Sequence, residues 1–211
     1  MARLPLKFDS QGLLPVIVQD RVTGEIRMFA FATDAAVRMT LETGRATFWS
    51  RSRGELWQRG RVSGHETSVI EVLADCDANC LIYSSDPQSP SCNSGAPSCF
   101  FQSLDGERIV QTSQRPQTIL TALEASLASA SKATGDGLYA RIRDKASDFV
   151  RAVEGERDER VVAEAADTLY HLLVGLRSRS ISVRRVLVEL ARRLGRGDHE
   201  ASAPFLDLVR D

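Results

Sequence analysis

The spacing of apolar residues changes once along this chain, and that change limits the fold more than any other feature. From Gly12 to about Phe101 the apolar residues come in short runs bounded by Gly, Ser, Arg and Asp, the pattern of strands and tight turns. After about Gln111 they recur every three to four residues through PQTILTALEASLASASKA, GLYARIRDKASDFVRAV, ERVVAEAADTLYHLLVGLRSR and SVRRVLVELARRLG, the spacing of helices with one buried face. Strands first and helices second predict an α+β chain. A β-rich domain is expected over residues 1–110 and an all-α helical domain of about four helices over 111–211.

Within the first half, LLPVIVQD and IRMFAF form a hairpin around Thr23-Gly24. DAAVRMTLETG is a helix capped by Asp34 and ended by Gly44, and ATFWS, ELWQRG, SVIEVLAD and CLIYS are further strands. SSDPQSPSCNSGAPSCFF is loop, and a loop that long inside a small domain marks either function or disorder. A polar linker near 104–116 leads into the second half, where Thr118 or Gln117 opens the first helix and Ser182 caps the last. Val162, Ala166, Leu169, Leu173 and Leu176 make one continuous apolar stripe, and the tail after Gly195 is expected to be a packing arm.

The chain is 43% hydrophobic, enough for a packed core, and its net charge is −1. That balance leaves no electrostatic footprint for nucleic acid or a membrane surface. The longest apolar runs, such as Leu13–Val18, fall far short of the roughly 20 residues of a membrane span. MARLPLKFDSQG lacks the pattern of a signal peptide, so a soluble cytoplasmic protein is expected.

All four cysteines, Cys76, Cys80, Cys92 and Cys99, fall in one short stretch. In a reducing compartment such clustered thiols are metal ligands or inert buried residues. In DCDANC, an extended backbone would point Asp75 and Asp77 to one side and Cys76 to the other. Two carboxylates suit Mg²⁺ and a thiolate suits Zn²⁺. Cys92 and Cys99 lie in the long loop, which can fold back to supply two more sulfurs to an open zinc site. Cys80, beside a strand, is expected in the core.

A second constellation is TFWSRSRGELWQRGRVSGH. Its arginines, with Trp49, Ser50, Ser52 and Ser63, provide charge, hydroxyls and a stacking face for a phosphate-bearing ligand. The alternative is a hairpin with a solvated basic face. In the helical half, Glu164 and Asp167 share one helical face with His171 a turn beyond, and Asp144 and Asp148 share another. Four carboxylates on two antiparallel helices can chelate Mg²⁺ on a triphosphate. The alternative is a solvated acidic surface, against which stands the apolar setting of Ala165, Ala166, Leu169 and Leu172.

In their order, GLLPVIVQD, TGE, LETGRATFWSRSRGELWQRG, DCD and C-x6-C resemble phosphoribosyl-AMP cyclohydrolase of histidine biosynthesis. The resemblance implies that Cys76, Cys92 and Cys99 bind Zn²⁺ across a dimer interface, and that Asp75 and Asp77 bind Mg²⁺. It also implies that zinc-activated water opens the purine ring, and Trp49, Ser50, Arg51, Ser52, Arg53 and Ser63 of the basic string are the candidate contacts to the substrate. Three positions depart from the family's strings: Asn79 for a carboxylate, Asn93 for a histidine and His65 for an asparagine. Either the site has decayed, or His65 supplies the catalytic imidazole from the opposite wall.

Glu164, Asp167, Tyr170 and His171, following an acidic helix, resemble phosphoribosyl-ATP pyrophosphohydrolase over about residues 116–196. That resemblance implies Mg²⁺ held by Asp144, Asp148, Glu164 and Asp167. Here the departure is Lys145, an ammonium where the family carries a carboxylate. Together the two resemblances imply a homodimeric, bifunctional hydrolase acting on phosphoribosyl-adenine nucleotides. The alternatives are a paralogue tuned to another purine nucleotide and a nucleotide-binding scaffold without turnover.

Overall fold

In the computed structural model, which describes residues 4–60, 67–87, 89–111, 118–127 and 136–194, the first sheet is built around the most apolar run of the chain. Strand β1 (Leu14–Asp20) alternates buried and half-buried side chains along its length, as a strand with one core face must. It pairs antiparallel with β2 (Ile26–Ala32). The turn between them is held by Asp20 Oδ1, which accepts the N–H groups of Val22 at 2.9 Å and Thr23 at 3.2 Å, and by Gly24 at φ 75°. The hairpin expected at Thr23-Gly24 is therefore present. On its other side β1 pairs in parallel with β6 (Leu81–Asp86).

With β3 (Thr47–Ser50), β4 (Glu55–Gln58) and β5 (Ser68–Ala74), the sheet runs β4-β3-β2-β1-β6-β5. It curls, because Ala46 N–H donates to Thr67 O at 3.0 Å and Val69 N–H to Gly44 O at 2.8 Å. Inside lie Leu14, Val16, Val18, Phe48, Leu81 and Tyr83, packed with Ala36 and Val37 of helix α1 (Asp34–Thr43). Gly44 ends α1 in the left-handed conformation, as expected. Its N-cap, however, is Thr33, whose hydroxyl accepts Ala36 N–H at 3.2 Å, while Asp34 turns to Arg38 one turn on.

Part of the expected linker is instead an antiparallel ribbon, β7 (Gln102–Asp105) with β8 (Arg108–Gln111). Asp105-Gly106, with Gly106 at φ 58°, is the hairpin signal that sequence reading passed over. The two compact units are Met1–Gln117 and Thr118–Asp211.

The second unit contains α2 (Ile119–Leu127), α3 (Asp136–Gly155), α4 (Asp158–Ser178) and α5 (Val183–Arg193). Leu127, Leu173 and Val183 are its buried centre, with Leu120, Leu123, Leu176 and Leu187 packed round them. Ser182 stands at the start of α5 without a side-chain cap; the first N–H is taken instead by Glu124 of α2, whose Oε1 accepts Val183 N–H at 2.7 Å. The apolar stripe is interrupted: Leu173 is buried, whereas Val162 and Leu169 are exposed and Glu164 is buried between them. Helices α3 and α4 run antiparallel, Lys145 lying opposite Thr168 and Ile142 opposite Gly175. A Cβ at Gly175 would stand 3.0 Å from Ile142 Cδ1, so the small residue permits the close approach. Among the described residues no helix is long and apolar enough to cross a membrane. The tail expected to be a packing arm lies outside the described residues.

Candidate functional site

The chain leaves β5 at Ala74 and turns immediately. Ala78 adopts φ 57°, and Asp75 Oδ1 accepts the N–H groups of Asn79 at 2.8 Å and Cys80 at 2.9 Å, a side-chain-stabilised turn of the kind Asp favours. These bonds, that from Cys80 foremost, hold the Asp75 carboxyl below its usual range. Lys7 N–H closes over the turn onto Ala78 O at 2.7 Å. Strand alternation therefore does not apply here. One ligand atom from each of Asp75, Cys76 and Asp77 lies within 4.8 Å of the others, and all three residues are exposed. The expectation that the thiol points away from the carboxylates is corrected by this turn. Cys80 is half-buried, and burial pushes its thiol up.

The serine- and proline-rich loop folds back on itself. Ser91 N–H bonds to Pro97 O at 3.2 Å, Cys92 N–H to Ala96 O at 3.0 Å and Cys99 N–H to Arg27 O at 2.9 Å. Cys92 and Cys99 become neighbours close enough to act on each other's thiol, and Cys99 Sγ donates to Ser91 O at 3.8 Å. The Ser94 hydroxyl draws the Cys92 thiol down, and burial pushes Cys99 up. Cys76 does not join them: among the described residues, the only group of three or more potential metal ligands is the Asp75-Cys76-Asp77 turn. Two neighbouring thiols, one already inclined to ionise, suit half of a tetrahedral zinc site, and the exposed carboxylates of the turn suit a hard cation.

Two arginines organise this loop: Arg27, which sequence reading missed, and Arg59, which it placed only in the basic cluster. Arg27, buried in β2, donates from Nε to Ser91 Oγ at 3.3 Å and from Nη2 to Ser89 O at 3.3 Å, with Glu25 at 3.4 Å from Nη1. A lone cation in the apolar run IRMFAF was the available signal. Arg59, just past β4, donates from Nη1 to Asn93 Oδ1 at 2.8 Å, a contact between distant residues that no local pattern announces.

The basic cluster occupies the β3–β4 turn. Ser50 Oγ accepts from Arg53 N at 3.3 Å and Nε at 3.4 Å, and Ser52 Oγ lies 3.4 Å away. Arg53 also pairs with Glu55 at 3.2 Å. The Arg51 guanidinium sits 4.3 Å over the Phe31 ring, and Phe31 faces Trp49 in the β2–β3 register. Ser63 and His65 lie outside the described residues.

In the helical unit the four carboxylates do not assemble as a ligand set among the described residues. Lys145 Nζ donates to Asp167 Oδ2 at 2.7 Å and lies 3.6 Å from Glu164 Oε2. Arg160 stands 2.5 Å from Glu164 Oε1, and Arg151 engages Asp148. Asp144 is exposed on α3, and His171 Nδ1 lies 2.9 Å from Asp167 O. Glu164 is buried as expected, but Asp167 is exposed, as are Ala166, Leu169 and Leu172. With an ammonium between the two α4 carboxylates, these side chains do not fit as a Mg²⁺ cage.

Residues 28–101 match the family model of phosphoribosyl-AMP cyclohydrolase, and residues 112–194 match that of phosphoribosyl-ATP pyrophosphohydrolase. The histidine biosynthesis bifunctional protein HisIE of Aquifex aeolicus is 36% identical over 206 residues, covering 90% of this chain and 98% of that relative. The chain belongs to this bifunctional family. A HisIE protein of Thermus thermophilus is 39% identical over 179 residues, 81% of this chain and 84% of its own. A single-domain phosphoribosyl-AMP cyclohydrolase of Methanoregula boonei is 45% identical over 116 residues, 55% of this chain and 94% of its own. The order of the two family domains is that of the β-rich and helical units.

Proposed function

We propose that the chain is a bifunctional hydrolase of histidine biosynthesis. Its helical unit releases pyrophosphate from phosphoribosyl-ATP, and its β-rich unit opens the adenine ring of the phosphoribosyl-AMP that results. The observation that carries the reading is the pair of family matches, one on each unit, in the order found in bifunctional relatives that span the chain.

Ring opening needs a nucleophilic water, a proton acceptor and a hold on the phosphate. Zinc bound by thiolates supplies the Lewis acidity that makes water a nucleophile at neutral pH. Cys92 and Cys99 are two of its ligands in this reading, held in place by the folded-back loop. The third, Cys76, is presented on a separate turn, so three thiolates meet only when a second copy brings its turn to this loop. Ile70 and Leu73 of β5, 59% and 43% exposed beside that turn, offer apolar surface for such a homodimer. Asp75 and Asp77 hold Mg²⁺. The β3–β4 turn, with Ser50, Arg51, Ser52 and Arg53, and with Trp49 and Ser63, receives the phosphoribosyl group. The Asn93 amide, engaged by Arg59, carries no exchangeable charge at neutral pH, so the acid–base role falls to His65. Four free thiols suit the reducing cytoplasm.

The test supplies the full chain with phosphoribosyl-ATP, Zn²⁺ and Mg²⁺, and follows pyrophosphate and ring-opened product separately. Both products are expected, and His65→Ala lowers ring opening by about 100-fold or more while leaving pyrophosphate release unchanged. Zinc-loaded protein that forms no ring-opened product from phosphoribosyl-AMP refutes the reading of the first unit. Absence of pyrophosphate release refutes that of the second.

A further inference from the structure

The helical unit carries its own cation where its carboxylates converge. Glu164 is buried, its side chain 4% exposed, and a buried carboxylate requires a nearby countercharge. Arg160 supplies one at Oε1. Oε2 has no hydrogen-bond partner among the described residues, and the group facing it is the Lys145 ammonium at 3.6 Å. The same ammonium is hydrogen-bonded to Asp167 at 2.7 Å. Its backbone is pinned as well, since Thr168 Oγ1 lies 3.0 Å from Lys145 O and 2.8 Å from Glu164 O. Lys145 is thus set by the α3–α4 packing rather than by a chance surface rotamer.

A hard divalent ion bridging Asp167 and Glu164 would stand about 2.0–2.1 Å from their oxygens, in the space this ammonium holds. Two positive centres that close repel strongly wherever water is partly excluded. Arg160 and Arg151 further neutralise Glu164 and Asp148, so the attraction left for a second cation is small. We infer that Lys145 takes the place of a divalent cation in this unit, and that the unit binds no Mg²⁺ on Glu164 and Asp167 while Lys145 is present. The inference concerns the site assigned above to pyrophosphate release and rests on that reading only for its catalytic consequence. Any divalent ion needed there arrives on the nucleotide's own phosphates.

Mn²⁺ binding to the full chain, followed by electron paramagnetic resonance without nucleotide, tests this directly. All proteins carry D75N and D77N, so that the β5–β6 turn contributes no carboxylate signal. The parent is expected to show no Mn²⁺ that depends on Glu164 at millimolar ion. Lys145→Gln, which only removes the charge, gains a site. Lys145→Glu gains one about tenfold tighter or more, and adding Glu164→Gln abolishes it. A site in the parent that Glu164→Gln removes overturns the inference, and so does a failure of both Lys145 variants to gain one while retaining full helicity. Pyrophosphate release is measured in parallel. A gain in Mn²⁺ binding with no pyrophosphate release in any protein leaves the inference standing and counts against the hydrolytic reading of the unit.

Discussion

Replacing Arg27 with methionine keeps an unbranched apolar stem in β2 and removes the guanidinium that ties down the cysteine loop. Its side chain holds the entry of that loop at Ser89 and Ser91, while its carbonyl takes the N–H of Cys99 at the exit. Hydrogen bonds from a charged donor contribute about 1.5–3 kcal/mol each when well formed. The two that reach the loop are both 3.3 Å, longer than the usual range. About 1 kcal/mol apiece, or about 2 kcal/mol together, is therefore the appropriate scale. That shifts the loop's opening equilibrium by about 30-fold. Hydrogen exchange of the full chain reads it directly: the amides of Ser91, Cys92 and Cys99 should exchange faster by that factor in Arg27→Met, while those of β1 hold. Zinc-loaded protein should also surrender its ion to a chelator sooner. Unchanged exchange at the three amides would refute the role given to Arg27, and equal acceleration in β1 would show a global loss instead.

Tyr83→Phe should stabilise the β-rich unit by about 1 kcal/mol in urea unfolding. The phenol oxygen is buried without a hydrogen-bond partner among the described residues, and the ring's stacking on Phe48 at 5.7 Å is retained. Burial pushes the phenol from 10 up to about 12, so the native state keeps a proton that the unfolded chain releases. Stability attributable to this group is whole below pH 10 and falls as pH rises toward 12, by about 3 kcal/mol. The phenylalanine variant lacks that portion of the alkaline loss; identical alkaline profiles would contradict the assignment. Glu124→Ala strips the N–H of Val183 of its acceptor and should cost about 1 kcal/mol, with faster exchange at the start of α5. No change in either would mean that solvent caps the helix equally well.

Much of the frame is legible from local chemistry. The alternation in LPVIVQD, the Thr23-Gly24 turn, Gly44 after DAAVRMTLET and the four helical segments all follow from period and punctuation, and the structure has them. What escaped depends on contacts between distant residues or on one unusual dihedral. Asp75, Cys76 and Asp77 come together because Ala78 takes a left-handed conformation and Asp75 collects two backbone amides. An alternation rule presumes an extended strand and misses this. Lys145 faces Asp167 because α3 and α4 pack in one particular register, which neither helix's periodicity specifies. Thr33 rather than Asp34 caps α1, a one-residue difference between two good capping types. The β7–β8 ribbon was within reach, since Asp105-Gly106 is a hairpin signal on its own.

The parallel pairing of β1 with β6 bears on how this chain is made. β1 is synthesised well before β6, and Val16 and Val18 acquire the neighbours Leu81 and Tyr83 only after the four strands between them have been made. Closing so large a loop is slow relative to hairpin formation. In the interval the nascent sheet has an unsatisfied edge at its future centre, open to wrong pairing with another chain. The helices that follow also include a distant pairing, Glu124 of α2 with Val183 of α5, but helices satisfy their own backbone and leave no strand edge open in the interval. Truncations ending before Asp86 should therefore be insoluble, and the demand on chaperones is greatest for the amino-terminal half.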